Sequence, residues 1–246
     1  MAKLIAYPLS VLYYLLFGCT LILFDGIQRI CYFVFGFKAH CTSIIVLNFL
    51  LLRCLNTLGT RFVFECPFTL EKNQSYIFVA NHQSTYDIPP LIWYLRKAYP
   101  RFVGKKELGK GIPSISFNLR NSGAVLIDRK NSKQALQDIK AFGAKVAEMN
   151  SSIVIFPEGT RSNSAKPKPF RLGGLKQLVD VMPDAKLVGI TINNSWKLSR
   201  YGYFPMGAGA QIKLKVHTPV DCPSDNALAT LEPVSYTHLR AHETSR

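Results

Sequence analysis

From Phe62 onward the chain alternates short apolar runs with amphipathic stretches. That alternation restricts it to an α/β architecture. Residues 62–64, 76–79, 101–103, 123–127, 152–156, 187–192 and 211–216 are predicted strands. Residues 84–97, 107–119, 132–149 and 174–181 are predicted helices. In the third, Ser132 is the predicted N-cap, and Leu136, Ile139, Phe142, Val146 and Met149 recur at helical spacing. The predicted fold is a mixed sheet flanked by helices, an αβ sandwich, with a membrane-associated helical segment at the N-terminus. The predicted division is an anchoring segment at 1–60, an α/β domain at 61–233 and a foreign or unstructured tail at 234–246. Residues 234–246 carry no periodicity related to what precedes them.

The N-terminal expectation rests on residues 4–24, which are uncharged, apolar and bounded by Lys3 and Asp25. A bilayer-spanning helix needs ~20 such residues. No Ala-x-Ala cleavage site follows, so a removed signal peptide is disfavoured. A second apolar tract, 27–58, is interrupted by Arg29, Lys38, His40 and Arg53. It is either a second span or a set of helices lying in the interface. Lys and Arg number 30 against 15 Asp and Glu, a formal charge of +15. That balance suits nucleic acid, anionic headgroups or a phosphorylated substrate. The apolar N-terminus and the lack of zinc-finger or RNA-binding motifs favour membrane over nucleic acid. Cys19, Cys31, Cys41, Cys54, Cys66 and Cys222 form no C-x-x-C pair and are expected to be free thiols.

The predicted strand at 76–79 runs into Ala80-Asn81-His82-Gln83-Ser84-Thr85-Tyr86-Asp87, and Pro89-Pro90 follows. His82 therefore falls at a strand-to-helix turn, where α/β proteins place chemistry. Ser84 and Asp87 have capping-box spacing. His82 and Asp87 are five positions apart and would diverge on a regular helix. A bend between them allows the carboxylate to fix one imidazole nitrogen and free the other as a base. No Gly-x-Ser-x-Gly elbow occurs, so such a base would act on a substrate hydroxyl. The alternative is a histidine that only packs at a turn.

A second predicted strand, 152–156, ends in Pro157-Glu158-Gly159-Thr160-Arg161-Ser162. Together with Asn81-His82 and Asp87, Gly104-Lys105-Lys106-Glu107-Leu108, Ile127-Asp128-Arg129 and Pro169-Phe170-Arg171-Leu172-Gly173, this resembles the glycerolipid acyltransferases. Within them it is most similar to the lysophosphatidate (1-acylglycerol-3-phosphate) acyltransferases, over about residues 76–220. The resemblance implies a fatty acyl thioester as donor, on coenzyme A or acyl carrier protein, with no other cofactor and no metal. It implies a lysophospholipid acceptor and phosphatidate as product. It casts His82 and Asp87 as catalytic, and Lys105, Arg129, Glu158, Gly159, Thr160 and Arg161 as substrate-binding. It implies a membrane location with the catalytic domain facing the cytoplasm, at the inner membrane in a bacterium. Two alternatives stay open. One is an acyltransferase for glycerol-3-phosphate or another lysophospholipid; the other is a non-catalytic protein that binds anionic lipid.

The chain departs from the family pattern at Arg171, where lysine is commoner, and at Gly189, where proline is usual. Residues 104–111 nearly spell a phosphate-binding loop, but Gly111 stands where a Ser or Thr would hold magnesium. His238 and His242 have helical metal-ligand spacing without a third ligand.

Overall fold

The computed structural model describes residues 2–221. The tail at 234–246, its histidines and Cys222 lie outside the described residues. Strands β1 (Arg61–Glu65), β2 (Tyr76–Ala80), β3 (Pro100–Lys105), β4 (Val125–Ile127), β5 (Ser152–Ile155), β6 (Lys186–Asn193), β7 (Gln211–Val216) and β8 (Val220–Asp221) form one sheet. Their order is β1-β7-β6-β2-β5-β3-β4, with β8 paired to β6. Neighbours from β6 to β4 are parallel, as are β1 and β7, while β7 and β8 run antiparallel to β6. The mixed sheet flanked by helices is thus as expected.

Helices cover both faces. One face carries Tyr76, Phe78 and Ala80 of β2, packed with helix α1 (Ala2–Asn56) through Tyr13, Cys54 and Leu55 and with helix α2 (Ile88–Tyr94) through Leu91. The other carries Ile77 and Val79, packed with helices α4 (Ser132–Glu148) and α5 (Gly173–Val181). A short α3 (Ile115–Asn121) lies before β4. Burial on both faces explains why β2 and β5 are continuous apolar runs without alternation. Val79 of β2 lies level with Ile155 of β5. The turns that follow these two strands therefore leave the sheet side by side at its carboxyl edge.

Three predicted elements differ. The helix expected at 84–97 is a 3₁₀ turn (Thr85–Asp87), then α2, then a second 3₁₀ turn (Arg96–Ala98). Pro89 and Pro90 suit only the first turn of α2, which begins late for that reason. The helix expected at 107–119 is split, because Gly111 takes a left-handed φ of 80° and Pro113 follows. Asn131, rather than Ser132, caps α4, accepting from the Gln134 amide at 3.1 Å. The two-residue β8 has no counterpart among the predicted strands.

Helix α1 does not end at Asp25. Asp25 pairs with Arg29 at 2.9 Å and accepts from the Ser114 amide at 2.7 Å, so its charge is satisfied within the fold. The break comes at Gly36, with φ 81° and ψ −175°. The two arms fold back on each other, where Leu21 and Phe24 meet Leu47 and Leu51. The inward face is partly polar: Ser10 accepts from the Met206 amide at 2.8 Å, and His40 bonds Asn118 at 3.1 Å. The outward face leaves Leu23, Phe33, Val34 and Phe35 more than 60% exposed. By length and composition α1 is apolar enough to cross a membrane. Within the domain α1 packs chiefly against α2 and α3.

Candidate active site

The turn after β2 is built by side chains that replace the ending ladder. Asn81 donates to the Ile192 carbonyl at 2.9 Å and accepts from the Ile192 amide at 2.7 Å, extending the contact with β6. Gln83 accepts from the Ser195 amide at 3.2 Å. Ser84 caps the 3₁₀ turn, and Asp87 closes the capping box by accepting from the Ser84 amide at 2.9 Å. The same Asp87 oxygen, Oδ2, accepts from the Gln83 amide at 2.8 Å and bonds His82 Nδ1 at 2.8 Å.

Asp87 is both a cap and the partner of His82. The carboxylate is fully buried, while the His82 side chain keeps 13% of its exposure. The Phe156 ring stacks on the imidazole at 4.1 Å between centroids. A carboxylate at Nδ1 places the proton there and leaves Nε2 with its lone pair. Nε2 has no hydrogen-bond partner among the described residues.

The turn after β5 is clamped to this one. The Ser162 amide donates to the His82 carbonyl at 2.8 Å and the Asn163 amide to the Gln83 carbonyl at 3.2 Å. Glu158, 3% exposed, accepts from the His82 amide through Oε1 and from the Lys168 amide through Oε2, both at 2.7 Å. Burial pushes the Glu158 carboxyl up, and those two amide bonds oppose the shift. Gly159 adopts φ 66°, a left-handed turn open to glycine.

The cations lie around this pair of turns. Arg129 follows β4 and donates to the Gly159 carbonyl at 2.5 Å. Desolvation first, and then the Arg161 charge, weaken the hold of Arg129 on its proton, so the two guanidinium groups share one field. Arg161 donates to the Thr85 hydroxyl and, at 3.2 Å, to the Tyr203 hydroxyl. Lys168 donates to the Arg161 carbonyl at 2.8 Å.

The fold thus brings together His82, Asp87, Glu158, Gly159, Arg129 and Arg161. Two candidates stand apart from these contacts. Lys105, at the end of β3, pairs with Glu107 at 3.1 Å on the surface, and Thr160 is exposed. Gly104 and Lys105 belong to β3 itself, so residues 104–111 do not form a phosphate-cradling loop. Glu158 ties the two turns together, each of its oxygens accepting from one backbone amide. Thr85 and Tyr203, which bond Arg161, are not among the residues predicted from the sequence. Thr85 lay inside the motif without a chemical signal, and Tyr203 is 42 positions from Arg161.

The arrangement offers a carboxylate-oriented base beside two guanidinium groups. It can remove a proton from a hydroxyl while an anionic group of the same molecule is held nearby. A family model described as "Acyltransferase" matches residues 61–193. The chain is 34% identical to a 1-acyl-sn-glycerol-3-phosphate acyltransferase of Helicobacter pylori, over 64% of this chain and 72% of that protein. It is 28% identical to one of Cocos nucifera, over 63% of this chain and 50% of that protein, so it spans about half of that relative. The crystal structure of a 1-acyl-sn-glycerophosphate acyltransferase from Thermotoga maritima superposes with a TM-score of 0.79. That likeness covers 100% of this chain and 99% of the other at 24% identity, and it concerns the fold.

Proposed function

Because the chain belongs to the acyltransferase family, we propose that it moves a fatty acyl group from a thioester to the free hydroxyl of 1-acylglycerol-3-phosphate, giving phosphatidate. The observation that carries this reading is His82, oriented through Nδ1 by buried Asp87, on a turn clamped to the one that carries Arg161.

Nε2 takes the hydroxyl proton as the oxygen attacks the thioester carbonyl. Asp87 stabilises the imidazolium that forms. Collapse of the tetrahedral intermediate breaks the carbon–sulfur bond, and the thiolate leaves with the proton returned by His82. No acyl-enzyme is formed. Arg161 and Arg129 hold the acceptor phosphate, with Lys105 adding positive charge at the same sheet edge. Gly159 and Thr160 border the acceptor, and Glu158 sets the backbone beneath it. The donor is acyl-coenzyme A or acyl carrier protein, and no cofactor or metal takes part. Thiol release from acyl-coenzyme A, measured over a panel of acceptors, tests the reading. It is expected to be fastest with 1-acylglycerol-3-phosphate. Release only with glycerol-3-phosphate or another lysophospholipid reassigns the acceptor. Release with none favours an anionic-lipid-binding role.

Arg161→Lys keeps the charge and loses the planar fork. It is expected to raise the KM for acceptor. Arg161→Ala is expected to cost about 1.5–3 kcal/mol of acceptor binding, the range for hydrogen bonds to charged groups. Unchanged acceptor kinetics in both would make Arg161 structural.

The reading also places the protein on a membrane surface, with its sheet in the cytoplasm. Helix α1 is tied to the domain near one end by Ser10 and near Gly36 by His40. A helix tied at both places lies along the domain, so its outward face rests in the lipid interface. Leu23→Lys combined with Val34→Lys adds charge on one stripe of that face. The pair is expected to release the protein from sedimenting vesicles while helix content holds. Equal sedimentation of variant and wild type would contradict this docking.

A further inference from the structure

Residues 200–205 form a strap between α1 and the mouth of the site. Its root is fixed twice: the Met206 amide donates to Ser10 of α1 at 2.8 Å, and Met206 Sδ accepts from the Tyr86 hydroxyl at 3.5 Å. Tyr86 immediately precedes Asp87. Higher on the strap, the Tyr203 carbonyl accepts from the Tyr14 hydroxyl of α1. Phe204 packs edge-on against Tyr7 of α1 at 5.5 Å. The Tyr203 hydroxyl then accepts from Arg161 at 3.2 Å. One segment therefore touches α1, the catalytic turn and the phosphate-holding arginine.

The strap is also exposed where a buried connection would not be. Tyr203 is 56% and Phe204 53% exposed, and both lie next to the uncovered apolar stretch of α1 that begins at Leu4. Two cations flank the rings: Lys3 lies 5.6 Å and Arg200 4.8 Å from the Tyr201 ring. Aromatic rings with cations beside them, continuous with an apolar helix face, match the headgroup level of an anionic bilayer.

We infer that this strap rests in the bilayer interface and that Tyr203 is a positioning residue for Arg161, so that the phosphorylated lysolipid passes from the membrane surface directly onto the guanidinium. The inference rests on the acceptor proposed above. A tyrosine hydroxyl bonded to one side of the Arg161 fork restricts its rotamers without neutralising its charge. A lipid headgroup at the level of the Tyr203 ring is then at the level of the arginine that takes it.

Two measurements on the full chain test this. The first is steady-state kinetics of Tyr203→Phe, which keeps the ring and removes only the hydroxyl. The KM for vesicle-borne 1-acylglycerol-3-phosphate is expected to rise about 2- to 10-fold, the effect of one ordinary hydrogen bond. The KM for acyl donor and kcat should stay within about twofold of wild type. An unchanged acceptor KM, or a fall confined to kcat, overturns the positioning role. The second is fluorescence of Phe204→Trp with phosphatidylcholine–phosphatidylglycerol vesicles carrying brominated acyl chains. Emission beyond that of the wild type, which has Trp93 and Trp196, should be quenched by brominated and not by unbrominated vesicles. Absence of that difference overturns the interfacial placement. If wild type turns over no lysolipid, the proposed activity fails, and the quenching still decides where the strap sits.

Discussion

His82→Ala is expected to lower kcat/KM by about 10²–10⁴, the typical effect of losing a positioned base. The protein should fold and bind vesicles as wild type does, because the His82 ring makes one hydrogen bond and one stacking contact. Asp87→Asn should also be severe. An amide at that position can favour the wrong tautomer and cannot stabilise the imidazolium. Asp87 also accepts from the Gln83 and Ser84 amides, so its replacement is expected to lower the melting temperature more than His82→Ala does, which removes one of these bonds and a ring stack. The double variant should be little slower than His82→Ala alone, since the two residues act as a unit. Fully additive losses would separate Asp87 from the base and leave it as a cap.

Glu158 is expected to show the second-largest effect, and of a different kind. Its oxygens hold the His82 and Lys168 amides at 2.7 Å, beneath the base and the loop that reaches Arg161. Hydrogen bonds to charged groups contribute about 1.5–3 kcal/mol each. Burial of the carboxylate offsets part of that sum, so Glu158→Ala is expected to lose about 2–4 kcal/mol of stability. Glu158→Gln is the sharper variant. It keeps the shape but turns an amino group toward one of the two backbone donors. It should lower kcat more than it alters the KM for acceptor, because the disturbed group is the backbone of His82. Loss confined to acceptor KM would return Glu158 to direct contact with the acceptor.

The parts legible in the sequence are those set by local chemistry. The continuous apolar runs of β2 and β5 announced strands buried on both faces. The polar turn after β2 carried both the capping box and the spacing that brings His82 to Asp87. The heptad-like run in α4 marked a helix lying on the sheet. What escaped depends on distant partners. Apolar residues in α1 look the same whether they meet Leu47 and Leu51 or lipid, and it is the buried polar residues Ser10, Gln28, His40, Ser43 and Asn48 that distinguish the faces. The two backbone amides that Glu158 holds lie 76 positions before it and 10 after, so nothing in its neighbourhood shows them. Tyr203 sits in an aromatic loop with no periodicity, and its relation to Arg161 exists only after β6 and β7 have been laid down. The helix breaks at Gly111 and Pro113 were visible as residues, yet the amphipathic pattern ran across them.

The most direct test counts thiol and phosphatidate in the same samples, for wild type and His82→Ala, with acyl thioester and 1-acylglycerol-3-phosphate. Direct transfer predicts one thiol per phosphatidate, no thiol without acceptor, and both products reduced about 10²–10⁴-fold in the variant. A stoichiometric burst of thiol before acceptor is added would point to an acyl-enzyme and contradict the mechanism, as would wild-type phosphatidate formation by His82→Ala.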